Sequence, residues 1–193
     1  MRTTIVTAII LAAALPIFAQ EEVLISGKVS HGGFGGASAK ITQVSGQPGF
    51  MIGSRAGWII NHKFVLGTSN YNLLSRVDVP EPGIADDLYL AMEYSGLEVE
   101  YIPDSDRLIH YSSHALFALG TIYLRDRNFH RYTNDDFIFA FEPSLSVTLN
   151  VVKFFRLSLS GSYRLVFGVE SGGLENKDLS GPGAALTLKF GKF

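Results

Sequence analysis

The sequence predicts an all-β protein, an eight-stranded antiparallel up-and-down transmembrane β-barrel. Three observations carry that prediction. Apolar residues recur with period two in one segment after another. The connections between those segments alternate between tight turns and longer loops. Each segment has one apolar and one polar face, and aromatic residues gather toward its ends.

The chain begins with a stretch that is not part of the barrel. Arg2 precedes the apolar run IVTAIILAAALPIFA, and Ala19 is a small residue where a signal peptidase would cut. Residues 1–19 are therefore read as a signal peptide, residues 20–32 as an N-terminal arm or the start of the first strand, and residues 33–193 as the barrel. The first strand is GGASAKITQV, with Ala37, Ala39 and Ile41 opposite Ser38, Lys40 and Thr42. GFMIGSRAGWII follows, with Phe50, Ile52, Ala56, Trp58 and Ile60 on one face and Arg55 on the other. A turn at His62–Lys63 leads into FVLGTSNYNLL. There Val65, Tyr71 and Leu73 are expected to face as Trp58 does, Phe64 to face inward, and Trp58 to lie across from Gly67.

The fourth segment, DLYLAMEYSGLEVEYI, alternates with one phase slip. Leu90, Met92 and Tyr94 have one parity, and Leu97, Val99 and Tyr101 the other. A bulge near Ser95–Gly96 would restore one apolar face and leave Glu93, Glu98 and Glu100 on the polar face. The fifth segment places Tyr111, Phe117 and Tyr123 opposite His110, Ser112 and His114. Read as a helix, residues 108–124 are short for a membrane span and carry His, Ser and Gly. In FIFAFEPSLSVTLN, Phe137, Phe139, Phe141 and Leu145 oppose Glu142 and the serines, with a bulge or kink expected at Pro143. FFRLSLSGSYRLVFG gives the cleanest alternation: Phe155, Leu157, Leu159, Leu165 and Phe167 against Arg156 and Arg164. GAALTLKFGKF closes the chain.

Connections over residues 61–63, 103–106 and 150–153 are tight, whereas those over 76–86, 125–136 and 169–182 are longer. A strand of about 11 residues, rising about 3.4 Å each and tilted near 45°, projects about 26 Å. An apolar band about 25 Å tall needs that length.

Composition narrows the function. There is no cysteine, so disulfides, thiolate metal sites, cysteine catalysis and a lipoprotein anchor are excluded. The formal net charge is -2, with no block of Lys and Arg, which argues against nucleic acid as a partner. Charged residues on the polar faces balance in sign: Lys40, Arg55, Arg156 and Arg164 against Glu93, Glu98, Glu100 and Glu142. Facing lipid they would cost several kcal/mol each, so they are expected to form an ion network inside a narrow, side-chain-filled lumen. Phe50, Trp58, Tyr71, Tyr101, Tyr111, Tyr123, Phe137, Phe155 and Phe167 are expected to form two membrane-interface girdles.

In these strands and loops the chain resembles the small OmpA/OmpX-type outer-membrane barrels. Its GGFGG…RAGWIINHKFVLG pattern also resembles an uncharacterised Bacteroidetes-type group of such proteins. The final LTLKFGKF is similar to the C-terminal signal read by the barrel-assembly machinery, with Phe190 or Phe193 as its aromatic. The resemblance implies insertion by that machinery into the bacterial outer membrane, contact with membrane lipid and lipopolysaccharide, and a monomer. A structural or surface-interaction role follows, without cofactor or metal and without a diffusion pore.

Two alternatives rest on specific residues. HYSSH resembles the His-x-Ser of outer-membrane lipid A deacylases, and would make His110 a base and Ser112 a nucleophile. Ser113 stands where that family has Asn, and the pair falls on the inward face. A soluble periplasmic barrel holding an apolar ligand is the other alternative. His110 and His114 have helical metal-ligand spacing, but on a strand they stand about 13 Å apart. His31 and His130 are read as loop residues. Asp86–Asp87 and Asp135–Asp136 are read as solvated loop-end pairs.

Overall fold

The computed structural model describes residues 29–78, 88–126, 136–170 and 173–193. The residues read as a signal peptide, most of those read as an arm, His130, Asp86–Asp87 and Asp135 lie outside the described residues. Eight strands form one closed antiparallel barrel in which each pairs with its sequence neighbours and β1 closes on β8. They are β1 His31–Val44, β2 Gln47–Ile60, β3 Phe64–Leu73, β4 Tyr89–Tyr101, β5 Ile109–Arg125, β6 Asp136–Val152, β7 Phe155–Phe167 and β8 Gly181–Lys192. A single helical turn, α1 Asn176–Leu179, precedes β8. His31, read from the sequence as a loop residue, opens β1 and stacks on Trp58 at 5.5 Å between ring centroids.

Closure explains how strands this long stay fully paired. An open sheet edge strands a row of backbone donors and acceptors, and a closed barrel has no edge. The tight turns are built for it. Ser45 (φ 48°) and Gly46 (φ 74°) both take positive φ, the requirement of a two-residue type I′ hairpin. The β2–β3 connection is one residue longer, with Asn61 (φ 51°) and His62 (φ 56°) in the left-handed region. Asn tolerates that region better than most residues.

That extra turn residue shifts the register by one from the sequence expectation. Ile60 pairs with Phe64, Ile59 with Val65 and Trp58 with Leu66. Trp58 therefore does not face Gly67; the glycine across from it is Gly33 of β1. Val65, Tyr71 and Leu73 point into the barrel instead of outward, and Phe64 points outward against Tyr101, 5.2 Å between centroids.

Neither of the two expected bulges forms, although the ladder is interrupted at Pro143. β4 pairs with β3 and β5 without a register shift, so Ser95–Gly96 is not a bulge. The glycine is needed for closeness: a Cβ on Gly96 would lie 1.9 Å from the Phe117 carbonyl oxygen. At Pro143 the strand likewise keeps its register. The β6–β7 ladder passes from Phe141↔Leu165 to Ser144↔Ser162, and only the Glu142 and Pro143 positions lack a partner there. The register shift in that ladder lies between Asn150 and Val152. On its other side β7 pairs Tyr163 with Pro182.

Candidate functional site

The barrel interior has three storeys. Next to the tight-turn rim is a small apolar floor of Phe34, Ile59, Val65 and Ile102, with Phe193 packed against it. Phe193 lies inward, 6.2 Å from the Phe34 ring and 4.0 Å beneath the Arg156 guanidinium. Phe190, on the other parity, faces out and stacks on Phe155 at 4.7 Å.

The middle storey is polar and densely bonded. Arg55 makes a two-pronged ion pair with Glu98 and reaches Glu100 at 3.3 Å. Lys189 donates to both Glu100 carboxylate oxygens, at 3.2 and 3.1 Å. The Ser112 hydroxyl donates to Glu100 at 2.6 Å, and Ser69 donates to Glu98. A second cluster sits higher. Lys40 pairs with Glu142, donates to the Tyr94 hydroxyl at 2.8 Å, and lies 4.5 Å from the Tyr71 ring centroid. The Tyr94 hydroxyl in turn donates to Glu142 at 3.0 Å. Burying ions is costly, and each carboxylate here has several donors around it to offset that cost.

The upper storey, toward the long-loop rim, is apolar. Met51, Leu73, Leu90, Met92, Ile138 and Val166 fill it, and Leu179 of α1 descends into it from above. Arg164 is the bolt. Fully buried, it donates to the backbone carbonyls of Leu179 at 2.8 Å and Gln43 at 3.0 Å. The helical turn is thus tied to the barrel wall.

Two site residues read from the sequence lie elsewhere. Glu93 faces outward near the long-loop end of β4, with Thr121 at 3.4 Å, and takes no part in the interior network. Tyr71 is inside, 6% exposed, and belongs to the upper storey, not to a girdle. Both errors share one cause. The interior changes from polar to apolar along its height, so "apolar" stops meaning "outward" in the upper half of β3 and β4.

Lys40, Arg55, Glu98, Glu100, Glu142, Arg156 and Arg164 are buried in the interior. Phe50, Trp58, Tyr101, Tyr111, Phe137 and Phe167 are exposed on the outer face, with Tyr123 and Phe155 partly exposed beside them. His110 and Ser112 share the interior but do not engage each other. His110 bonds the Arg107 carbonyl through Nδ1 at 3.2 Å, while the Ser112 proton is directed to Glu100. A nucleophile needs its base within hydrogen-bond reach, and that contact is not formed.

The fold is that of solved outer-membrane barrels. The crystal structure of Neisserial surface protein A aligns with a TM-score of 0.62 at 13% identity, over 86% of this chain and 100% of that one. The N-terminal β-barrel domain of Pseudomonas aeruginosa OprF aligns with a TM-score of 0.52 at 12% identity, over 82% and 96%. Ail, the attachment invasion locus protein of Yersinia pestis, in its complex with the heparin analogue sucrose octasulfate, aligns with a TM-score of 0.50 at 9% identity, over 86% and 99%. At these identities the likeness is one of fold. No protein-family model matches the chain, and no curated protein matches it significantly.

Sequence reasoning missed Lys189, Tyr94 and Ser69. Lys189 was within reach of simple alternation, since it shares a parity with Thr187 and opposes Leu186, Leu188 and Phe190. Tyr94 and Ser69 were hidden by the inverted parities of β3 and β4.

Proposed function

We propose that this protein is an integral barrel of the bacterial outer membrane, with the turns after β2, β4 and β6 in the periplasm and the long loops, beside the two-residue Ser45–Gly46 turn, outside. One observation carries the reading. The molecule is apolar outside and charged inside: Leu119 and Leu145 are each 72% exposed on the outer wall, while Arg55 and Arg164 are 2% and 0% exposed within. Water would penalise that outer face heavily, whereas lipid solvates it. The same surface weighs against a soluble periplasmic barrel.

The role is structural or surface-interacting, through the long loops. The side chains stacked in the three storeys support a filled lumen over a diffusion pore. The outer wall contacts membrane lipid and lipopolysaccharide, and Phe190 and Phe193 serve the assembly machinery during insertion. The bonds of the Ser112 hydroxyl to Glu100 and of His110 to a backbone carbonyl weigh against a lipid hydrolase.

Membrane fractionation followed by gel mobility tests the reading. The expected result is recovery in the outer-membrane fraction, with a band that migrates differently before and after boiling. Release without detergent, with unchanged mobility, would refute it.

A further inference from the structure

The outer wall is not apolar all the way round. Two rows of hydrogen-bonding side chains cross three adjacent strands on its outer face. Ser54 of β2 pairs with Asn70 of β3, which pairs with Ser95 of β4. One step higher, Asn72 of β3 pairs with Glu93 of β4, which pairs with Thr121 of β5. All six side chains face outward and are at least partly exposed.

The height of the lower row is fixed by its own strand. Ser54 lies four residues from Trp58, near the tight-turn rim, and four from Phe50, near the long-loop rim. On the proposed membrane reading, this places Ser54 and Asn70 at the middle of the hydrocarbon layer. Internal bonds satisfy only part of the patch. The Asn70 amide donates to Ser54 at 2.6 Å, and Thr121 meets Glu93 at 3.4 Å. Among the described residues, Asn72 and Ser95 have no side-chain hydrogen bond.

We propose that this patch is the contact face of a homodimer, formed by a second copy of this chain across β3, in place of the monomer that the resemblance implies. The depth selects the occupant. Acyl chains carry no donor or acceptor at mid-membrane, so an exposed amide there gains only from another polar side chain. The patch also complements itself. A two-fold axis along the membrane normal beside β3 brings β2 of one copy opposite β4 of the other. Asn70 then meets its own counterpart, and an amide is both donor and acceptor. Glu93 sits higher, near the rim, where it reaches the amide of the other copy's Asn72 without being held at mid-membrane.

This inference rests on the membrane reading, and the experiment separates the two. The natural chain has no cysteine, so single-cysteine variants report without background. N70C and L159C, the latter on the outer face of β7, are oxidised in intact outer membranes. Each variant is first checked for heat-modified mobility, which scores the membrane reading alone. The expected result is a disulfide dimer for N70C and none for L159C. A second measurement uses cysteine-free protein. Energy transfer between labelled copies in liposomes is expected to fall about tenfold in association constant for the N70L/N72L double variant. Folded barrels that cross-link equally at both sites, or associate equally with and without the amides, would overturn the proposal. So would a monomer that retains lipopolysaccharide only while Asn72 and Glu93 are intact, which would assign the patch to a glycolipid.

Discussion

At the scale of single residues, Glu100 is the node of the interior. It takes Arg55, Lys189 and Ser112 at once, and it is 3% exposed. Replacing it with Ala would leave the buried Lys189 ammonium without its carboxylate and Arg55 with Glu98 alone. Breaking a buried pair in this way costs about 3–5 kcal/mol. Ser112→Ala removes one charge-assisted bond and leaves the ions paired, a loss of about 1–3 kcal/mol. Unfolding in detergent or lipid by denaturant should therefore rank Glu100→Ala well below Ser112→Ala, with both below the natural sequence. A base–nucleophile role would predict lost lipid modification from Ser112→Ala at unchanged stability. The ion network was legible in the sequence wherever the polar storey is crossed, because charges alternate there with large aliphatics. It was illegible at Glu93 and Tyr71, where the interior itself becomes apolar and the usual sorting rule gives the wrong side.

At the scale of elements, the strands were readable and their ends were not. Period-two alternation located all eight segments, β5 included, although its apolar content permits a helical reading. Hairpin register depends on the number of turn residues, and one residue moves every side chain to the other face. Asn61 joined the turn ahead of His62 and Lys63, and β3 inverted. The glycine in β4 shows the same limit. A bulge and a close approach both call for Gly, and only the paired strand tells them apart. Gly96→Val should force β4 and β5 apart, since its Cβ would also fall 2.5 Å from Ala118 Cα. Overpacking of this kind costs about 1–3 kcal/mol, and a gel run before boiling should show less folded band. Gly161→Ala is the matched control: no atom lies within 4 Å of the added carbon, so the folded fraction should not change.

At the scale of the whole molecule, the barrel is ordered along its axis and uneven around it. Along the axis, an apolar floor, a charged middle and an apolar top follow one another. Among the described buried residues, the interior cations Lys40, Arg55, Arg156, Arg164 and Lys189 outnumber the carboxylates Glu98, Glu100 and Glu142. Backbone carbonyls and aromatic rings take up the surplus, at Arg164 and Arg156. None of this layering is local, so no single segment announces it. Alternation assigns a face to each residue, and only the closed sheet assigns it a height.

The seam beside Pro143 gives the unevenness a dynamic meaning. Tyr163 sits in β7 with Pro182 across one ladder and the unpaired Pro143 position across the other. Neither proline carries an amide proton to lend. The closed wall of backbone bonds therefore has a place, at mid-height, where the stitching is thin on both sides. Solvent deuterium reports such places directly. The amides of Tyr163 and Arg164 should exchange before those of Leu157 and Leu159 in the same strand. If the barrel breathes, it should part first along β7.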